Sequence, residues 1–233
     1  MSAPTFDDPS LRVVTSFEAL VATPFRDGVN AVCWARDLQG DFDEVVERLG
    51  TDDDITSIDE ARLRSLELGP AGRQAVTALL ADLDRLRAIG EEPTLDCVRR
   101  YPRDHDGPVA TDVHSFHKDS ATAPVDTFLC SYTGASSEGL RNQEARRLVD
   151  VPAIRALLLE RFGGVEGEAF TAWLRENSFD LHYEALPGAR PFSFGLFNLW
   201  RIAVQYPGSP VPACIHRAPE YSPGQLPRLL LIS

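Results

Sequence analysis

Basic residues are in short supply: 23 Lys and Arg face 35 Asp and Glu, a formal net charge of −12. That deficit argues against a nucleic-acid partner, because phosphate binding draws on a surplus of Lys and Arg. Lysine itself is nearly absent, and Lys118 beside twenty-two arginines reads as genome composition, not chemistry. Long hydrophobic runs are missing too. The longest charge-free stretch, Ile202 to Ile215, is broken by Pro207, Pro210 and Pro212 and is too short to span a bilayer, so no membrane partner is expected. Cys33, Cys97, Cys130 and Cys214 form no Cys-x-x-Cys pair, which excludes the usual thiolate zinc spacing and leaves buried free thiols. The chain reaches Asp7 and Asp8 without a basic start or an apolar core, so no secretory leader is read and a cytoplasmic location is expected. What is present, 43% hydrophobic and 25% charged residues, suffices for one large domain, or one domain with a helical annex.

Residues 1–93 read as a mainly helical N-terminal annex around one early strand, Asn30 to Arg36. Nine acids against one Arg between Asp41 and Glu60 fit a solvated helix face and an acidic turn at Asp52 to Asp54; the oxygen spacing of a calcium loop is absent. Ser57 and Glu60 have capping-box spacing and predict a helix toward Leu68. Val76, Leu79, Leu80, Leu83 and Leu86 predict another from Gly72 to Ile89, stopped by Gly90. From about Thr94 the texture changes to short β-rich runs separated by Pro and Gly, at Thr94 to Tyr101, Thr111 to Asp119 and Thr127 to Thr133. A helical insertion at about 151–177, opened by Pro152, interrupts them. Strand-like runs resume at Phe179 to Ala185, Phe192 to Phe194, Leu199 to Tyr206, Ala213 to Arg217 and Arg228 to Ser233. The expected class is α+β, with residues 94–233 forming a β domain.

Only five histidines occur, and two lie in Val113-His114-Ser115-Phe116-His117-Lys118-Asp119. On a strand, residues two apart share a face, so His117 and Asp119 project together while His114 points the other way. A third metal ligand must come from a neighbouring strand, and His216 in Cys214-Ile215-His216-Arg217-Ala218-Pro219 is the candidate. Two histidines and one carboxylate make a facial triad, which leaves adjacent positions on iron for a bidentate cosubstrate and O₂. Arg228, twelve residues after His216, is placed to hold the far carboxylate of 2-oxoglutarate, and Tyr132 is a candidate hydroxyl for the same group.

Four segments carry a resemblance: Val29 to Arg36, Ser115 to Asp119, Ser131 to Ser137 and His216 to Pro219. They resemble a bacterial family of unknown function with a Val-Asn-x-Ala-Val-Trp-x-Arg-like strand, an Arg-Phe-His-x-Asp-like segment, a Thr-Tyr-x-Gly-Pro-Gly-Thr-like turn and a distal His-Arg-Ser-Pro. That family is similar to divergent iron(II) and 2-oxoglutarate-dependent oxygenases. The resemblance implies a double-stranded β-helix of the cupin or jelly-roll type, with iron on the three ligands. Two departures stand out: Gly134-Ala135-Ser136-Ser137 lacks the Pro-Gly pair, and Ala218 replaces Ser.

Competing assignments of the same residues are bland. His114 shares a face with Phe116 and reads as a core histidine near the site. Asp180, His182 and Glu184 alternate with Phe179, Leu181 and Tyr183, which fits a polar solvent face better than a second metal site. The serines between Gly134 and Gly139 miss the nucleophile-elbow spacing. Arg217 alternates away from His216 and fits a structural ion pair, and Trp34, Trp173 and Trp200 read as core. The sequence therefore predicts an oxygenase acting on a small molecule or peptide. Two alternatives share its ligands: a non-catalytic divalent-metal protein of zinc or other metal homeostasis, and a cupin-type iron enzyme without 2-oxoglutarate.

Overall fold

The computed structural model describes residues 8–104, 107–220, 222 and 224–233; most of the N-terminal segment read for a leader lies outside them. The N-terminal part contains β1 (Leu11–Val14), α1 (Phe17–Ala22), β2 (Ala31–Trp34), α2 (Phe42–Leu49), β3 (Ile55–Ser57), α3 (Glu60–Ser65) and α4 (Pro70–Ala88). The middle contains β4 (Thr94–Val98), β5 (Phe116–His117), β6 (Asp126–Ser131), β7 (Glu138–Leu140), β8 (Ala145–Arg147), α5 (Pro152–Phe162) and α6 (Glu168–Glu176). The chain ends with β9 (His182–Ala185), β10 (Phe192–Ser193), β11 (Leu199–Ala203), β12 (Ile215–Arg217) and β13 (Arg228–Ile232). Among the described residues no helix is long and apolar enough to cross a membrane.

These elements form a mixed α+β architecture with two antiparallel-rich sheets. A seven-stranded sheet has the order β1-β2-β11-β6-β13-β4-β3, and a six-stranded sheet the order β10-β7-β12-β5-β9-β8. Only the β1–β2 pairing is parallel among the named strands.

Strand alternation decides which side of the larger sheet each residue serves. Leu229 and Leu231 of β13, with Phe128, Cys130 and Tyr132 of the β6 segment, pack under the helices against Leu79, Leu83 and Leu86 of α4. Their neighbours Leu230 and Leu129 turn the other way and meet Phe194, Trp200 and Cys214. Both faces of β13 are therefore covered, which explains its unbroken Leu-Leu-Leu-Ile run. Replacing Leu79 or Leu83 by Ala would cost about 2–5 kcal/mol. A satellite core of Leu158, Phe170, Leu174 and Phe179 holds α5 and α6, with Trp173 half-buried beside it.

Several local expectations change. Residues 1–93 supply three strands, not one, and the helical core joins them to β4, β6, β11 and β13 without a gap at residue 94. Asp59, not Ser57, caps α3, accepting from the Arg62 amide at 2.7 Å; Ser57 ends β3 and bonds Asp96. The Asx cap sits directly before the helix, whereas Ser57 is already committed to a β-ladder. Residues 179–181 form a 3₁₀ turn before β9, and only Phe116 and His117 of the predicted Thr111–Asp119 run are in a strand. Trp200 is fully buried, but Trp34 is only partly so, with the Arg36 guanidinium over its ring at 4.6 Å.

Candidate metal centre

β5 lies between β12 and β9, and His117 is the register partner of His216 on one side and His182 on the other. Directly paired residues point to the same face, so three imidazoles form a row across the smaller sheet. Gly139 continues that row beyond His216, and a Cβ there would overlap the ring of Phe192, its partner on β10. Bare backbone at this position lets the ring lie beside the His216 strand.

Asp119 lies past the end of β5, where its carbonyl accepts from the Gln205 amide at 2.9 Å. Thr127 on β6 donates its hydroxyl to Asp119 Oδ2 at 2.7 Å. The carboxylate is thus fixed by the larger sheet and the imidazoles by the smaller. Asp119 Oδ1 stands 3.9 Å from His117 Nε2 and 3.8 Å from His216 Nε2, and the three ligand atoms lie within 4.8 Å of one another. Adjacent ligands at metal bonds of roughly 2.1 Å would be about 3 Å apart, so the set closes on an ion by shifts under about 1 Å. His117 Nδ1 faces the Ser115 carbonyl at 2.8 Å, which places its proton there and leaves Nε2 as the lone-pair donor. Burial pushes the His216 imidazole down to about 4, so it is in the neutral, ligating form at pH 7. Burial opposes ionisation of Asp119, but His216, the Thr127 hydroxyl and His117 together hold its pKa below the ordinary carboxylate value. Two imidazoles and one carboxylate match the donor set of a divalent ion.

A cavity of about 250 Å³ opens from this cluster between the two sheets. Its lining includes His117, Asp119, His216 and, from the larger sheet, Arg228. Arg228 is only 6% exposed. Its Nη2 donates to Ser137 Oγ at 2.6 Å and Ser131 Oγ at 2.9 Å, its Nε to Ser131 Oγ at 3.1 Å, and its Nη1 to the Tyr101 hydroxyl at 3.4 Å. All three partners are neutral, and no carboxylate among the described residues pairs with it. Burial draws its pKa down, yet a guanidinium stays charged. A buried cation that opens on a cavity and lacks an ion-pair partner among the described residues can receive an anion.

The structure brings together His117, Asp119, His216 and Arg228. It does not bring Tyr132. That side chain is on the helical face of the larger sheet, donating to Asp82 Oδ2 at 2.7 Å and stacked on Phe42 at 5.4 Å. Strand alternation is the reason: Ser131 turns toward Arg228, so its neighbour turns away. The phenol beside Arg228 is that of Tyr101, beyond β4. The two serines that bound the 131–137 segment, Ser131 and Ser137, are the hydroxyls on Arg228. Between them Gly134, at φ +67°, would set a Cβ 3.2 Å from Arg228 Cα.

His182 is a second correction. It is buried, not on a solvent face; its ring lies 5.9 Å from His117, and its Nδ1 is 2.6 Å from Ser115 Oγ. The alternation around it suggested a solvated strand, but its register with His117 puts His182 on the face that carries the metal-ligand row. Glu184, further along, does face outward and pairs with Arg146. His114 is buried in the turn before β5, edge-on to Tyr101 at 5.8 Å, and its Nδ1 has no partner among the described residues. Arg217 pairs with Glu138 at 2.6 Å, and the Lys118 ammonium sits over the Tyr183 ring. Tyr101 and Thr127 carried no motif that would have singled them out.

Compared with family models, curated proteins and solved structures, the chain matches none.

Proposed function

We propose that the protein is a non-haem iron(II) and 2-oxoglutarate-dependent oxygenase of the divergent family it resembles, built on a double-stranded β-helix. The observation that carries this reading is the buried Arg228, with no carboxylate partner among the described residues, in the same cavity as His117, Asp119 and His216. A metal-storage site has no use for such a cation, whereas a dicarboxylate that chelates a metal through one end needs one at its other end. Two facing sheets, with ligands on the inner face of one and the cation on the other, support the barrel reading.

Iron(II) and 2-oxoglutarate, when bound, supply the chemistry: O₂ is consumed, the cosubstrate is decarboxylated to succinate, and a substrate C–H bond is oxygenated. The chain's own part is positional. His117 and His216 present Nε2 lone pairs, held by the sheet register and, at His117, by the Ser115 carbonyl. Asp119 is steadied by Thr127, and Arg228 receives the far carboxylate with Ser131, Ser137 and Tyr101 orienting its fork. Leu129, Leu230 and Ile232 wall the cavity and exclude water from the reacting carbon. A small molecule or peptide is the substrate class that suits a cavity of this size in an acidic protein, and four free buried thiols suit a reducing cytoplasm.

Anaerobic iron(II) titration with and without 2-oxoglutarate tests the reading. A weak visible charge-transfer band that needs iron, cosubstrate and His117 is expected, and His117→Ala abolishes it. Metal binding without the band would replace the proposal with a zinc or other metal-homeostasis protein, or an iron enzyme that does not use 2-oxoglutarate. No metal binding at all would sink the triad.

A further inference from the structure

Arg228 turns toward β6, and on its other flank the adjoining strand β4 adds a different group to the same wall of the cavity. Asp96 of β4 lines it, two strands from β6 in the larger sheet. Its Oδ1 accepts from Ser57 Oγ at 2.5 Å and its Oδ2 from Thr94 Oγ1 at 3.2 Å. Both partners are neutral, and a carboxylate has acceptor sites for about four hydrogen bonds. The nearby arginines are engaged elsewhere. Arg99 donates to the Thr51 carbonyl and Arg100 pairs with Asp54 at 3.0 Å. Arg228, on the adjoining strand, spends its donors on hydroxyls. Among the described residues no cation therefore pairs with Asp96 on the cavity wall, and its carboxylate keeps acceptor capacity for a ligand.

The rest of that side is apolar: Ile55, Val98, Leu230 and Ile232, with Val113 across from them. Ile55 is 44% and Val113 37% exposed, so the opening is flanked by hydrocarbon. A net charge of −12 raises the local concentration of cations and lowers that of anions at such an opening.

We propose that Asp96 is the specificity residue for an aliphatic ammonium compound, whose charged end it binds while the carbon chain runs along Leu230 and Ile232 toward the metal cluster. The proposal deepens the oxygenase reading by naming its substrate class, and it rests on that reading only for what happens to the ligand once bound. Asp96 also ties β3 to β4 through Ser57, so its test must separate charge from strand pairing.

Ligand-observed NMR titrations with hexylammonium and with hexanol, a neutral probe of equal chain length, make that separation. Hexylammonium is expected to bind wild-type protein about tenfold more tightly than hexanol, the size of one charge-assisted hydrogen bond. Asp96→Asn keeps an acceptor for Ser57 and should bring the two probes to equal affinity. Ser57→Ala removes the strand tie, leaves the charge, and should keep the preference. Equal binding of the probes to wild type, binding of neither, or a preference that survives Asp96→Asn would overturn the proposal. The titrations use metal-free protein and are repeated on His117→Ala, so the two readings fail separately. An ammonium preference without a charge-transfer band loses the oxygenase and keeps Asp96; the band without the preference does the reverse.

Discussion

Replacing Arg228 by Met separates a functional cation from a structural one. The side chain is buried, so removing its charge recovers a desolvation penalty of several kcal/mol. Against this stand hydrogen bonds to Ser131 and Ser137 at 2.6–3.1 Å, each worth about 1.5–3 kcal/mol, and a long contact to Tyr101 at 3.4 Å that adds little. The terms nearly cancel, and the freed serine hydroxyls can donate to each other or to water. Arg228→Met should therefore change the stability of the metal-free protein by no more than about 1.5 kcal/mol, where breaking a buried ion pair costs about 3–5 kcal/mol. Its effect on the cosubstrate should be large, since stranding a buried carboxylate without its cation costs about 2–5 kcal/mol, roughly 30- to 4000-fold in affinity. Urea melts with and without iron and 2-oxoglutarate measure both quantities. Ligand at one hundred times the wild-type dissociation constant should stabilise wild type by about 2.7 kcal/mol and the variant by less than about 1 kcal/mol. A loss above about 3 kcal/mol in the metal-free variant, or an undiminished gain from 2-oxoglutarate, would refute the assignment.

Thr127→Val removes the hydroxyl that steadies Asp119 and should weaken metal binding about 10- to 100-fold with little change in fold, as read by competition with a chromophoric chelator. Asp8 lies below its ordinary carboxylate value: burial opposes this, but Ser10 and Arg141 outweigh it. A depressed folded pKa contributes stability in full above about pH 4 that is lost as pH falls through the folded value, so Asp8→Asn should flatten the acid limb of a stability curve below about pH 4. Burial pushes the thiol of Cys33 up to about 12 and that of Cys130 up to about 11, and raises Cys97 and Cys214 as well. A disulfide reagent at pH 8 should find no fast-reacting thiol in the native protein and four after denaturation.

The sequence made the candidate triad legible because two of its members are neighbours on one short segment and the third opens a distinctive run, His216 to Pro219. Arg228 was singled out by its distance beyond His216, and it lines the same cavity as the cluster. Tyr132 misled because a motif records that a residue is present, while strand parity records which side it serves, and parity at 131–132 depends on a pairing with β13 that no local pattern encodes. His182 misled for a related reason: its alternation described an amphipathic strand correctly in form, but which face meets solvent depends on the strands laid beside it. β1 and β3 escaped notice because each is short and lacks a run of β-branched residues long enough to stand out beside the helical periodicity around it. Hydroxyls such as Thr127, Ser131 and Ser137 become functional only by where they are delivered.

The strand that carries His117 is two residues long and meets β12 through a single register pair, with His216. These two residues are 99 positions apart in the chain. An ion held by both is therefore a cross-link that closes a very long loop, and a permanent link of that span would restrict the unfolded chain by about 4.7 kcal/mol. With such an ion bound, the smaller sheet, whose middle is joined by so little backbone, would owe part of its cohesion to it. Metal loading should register far from any chemistry, as slowed amide exchange at Phe116 and His117 and as resistance to proteolysis between them and β12.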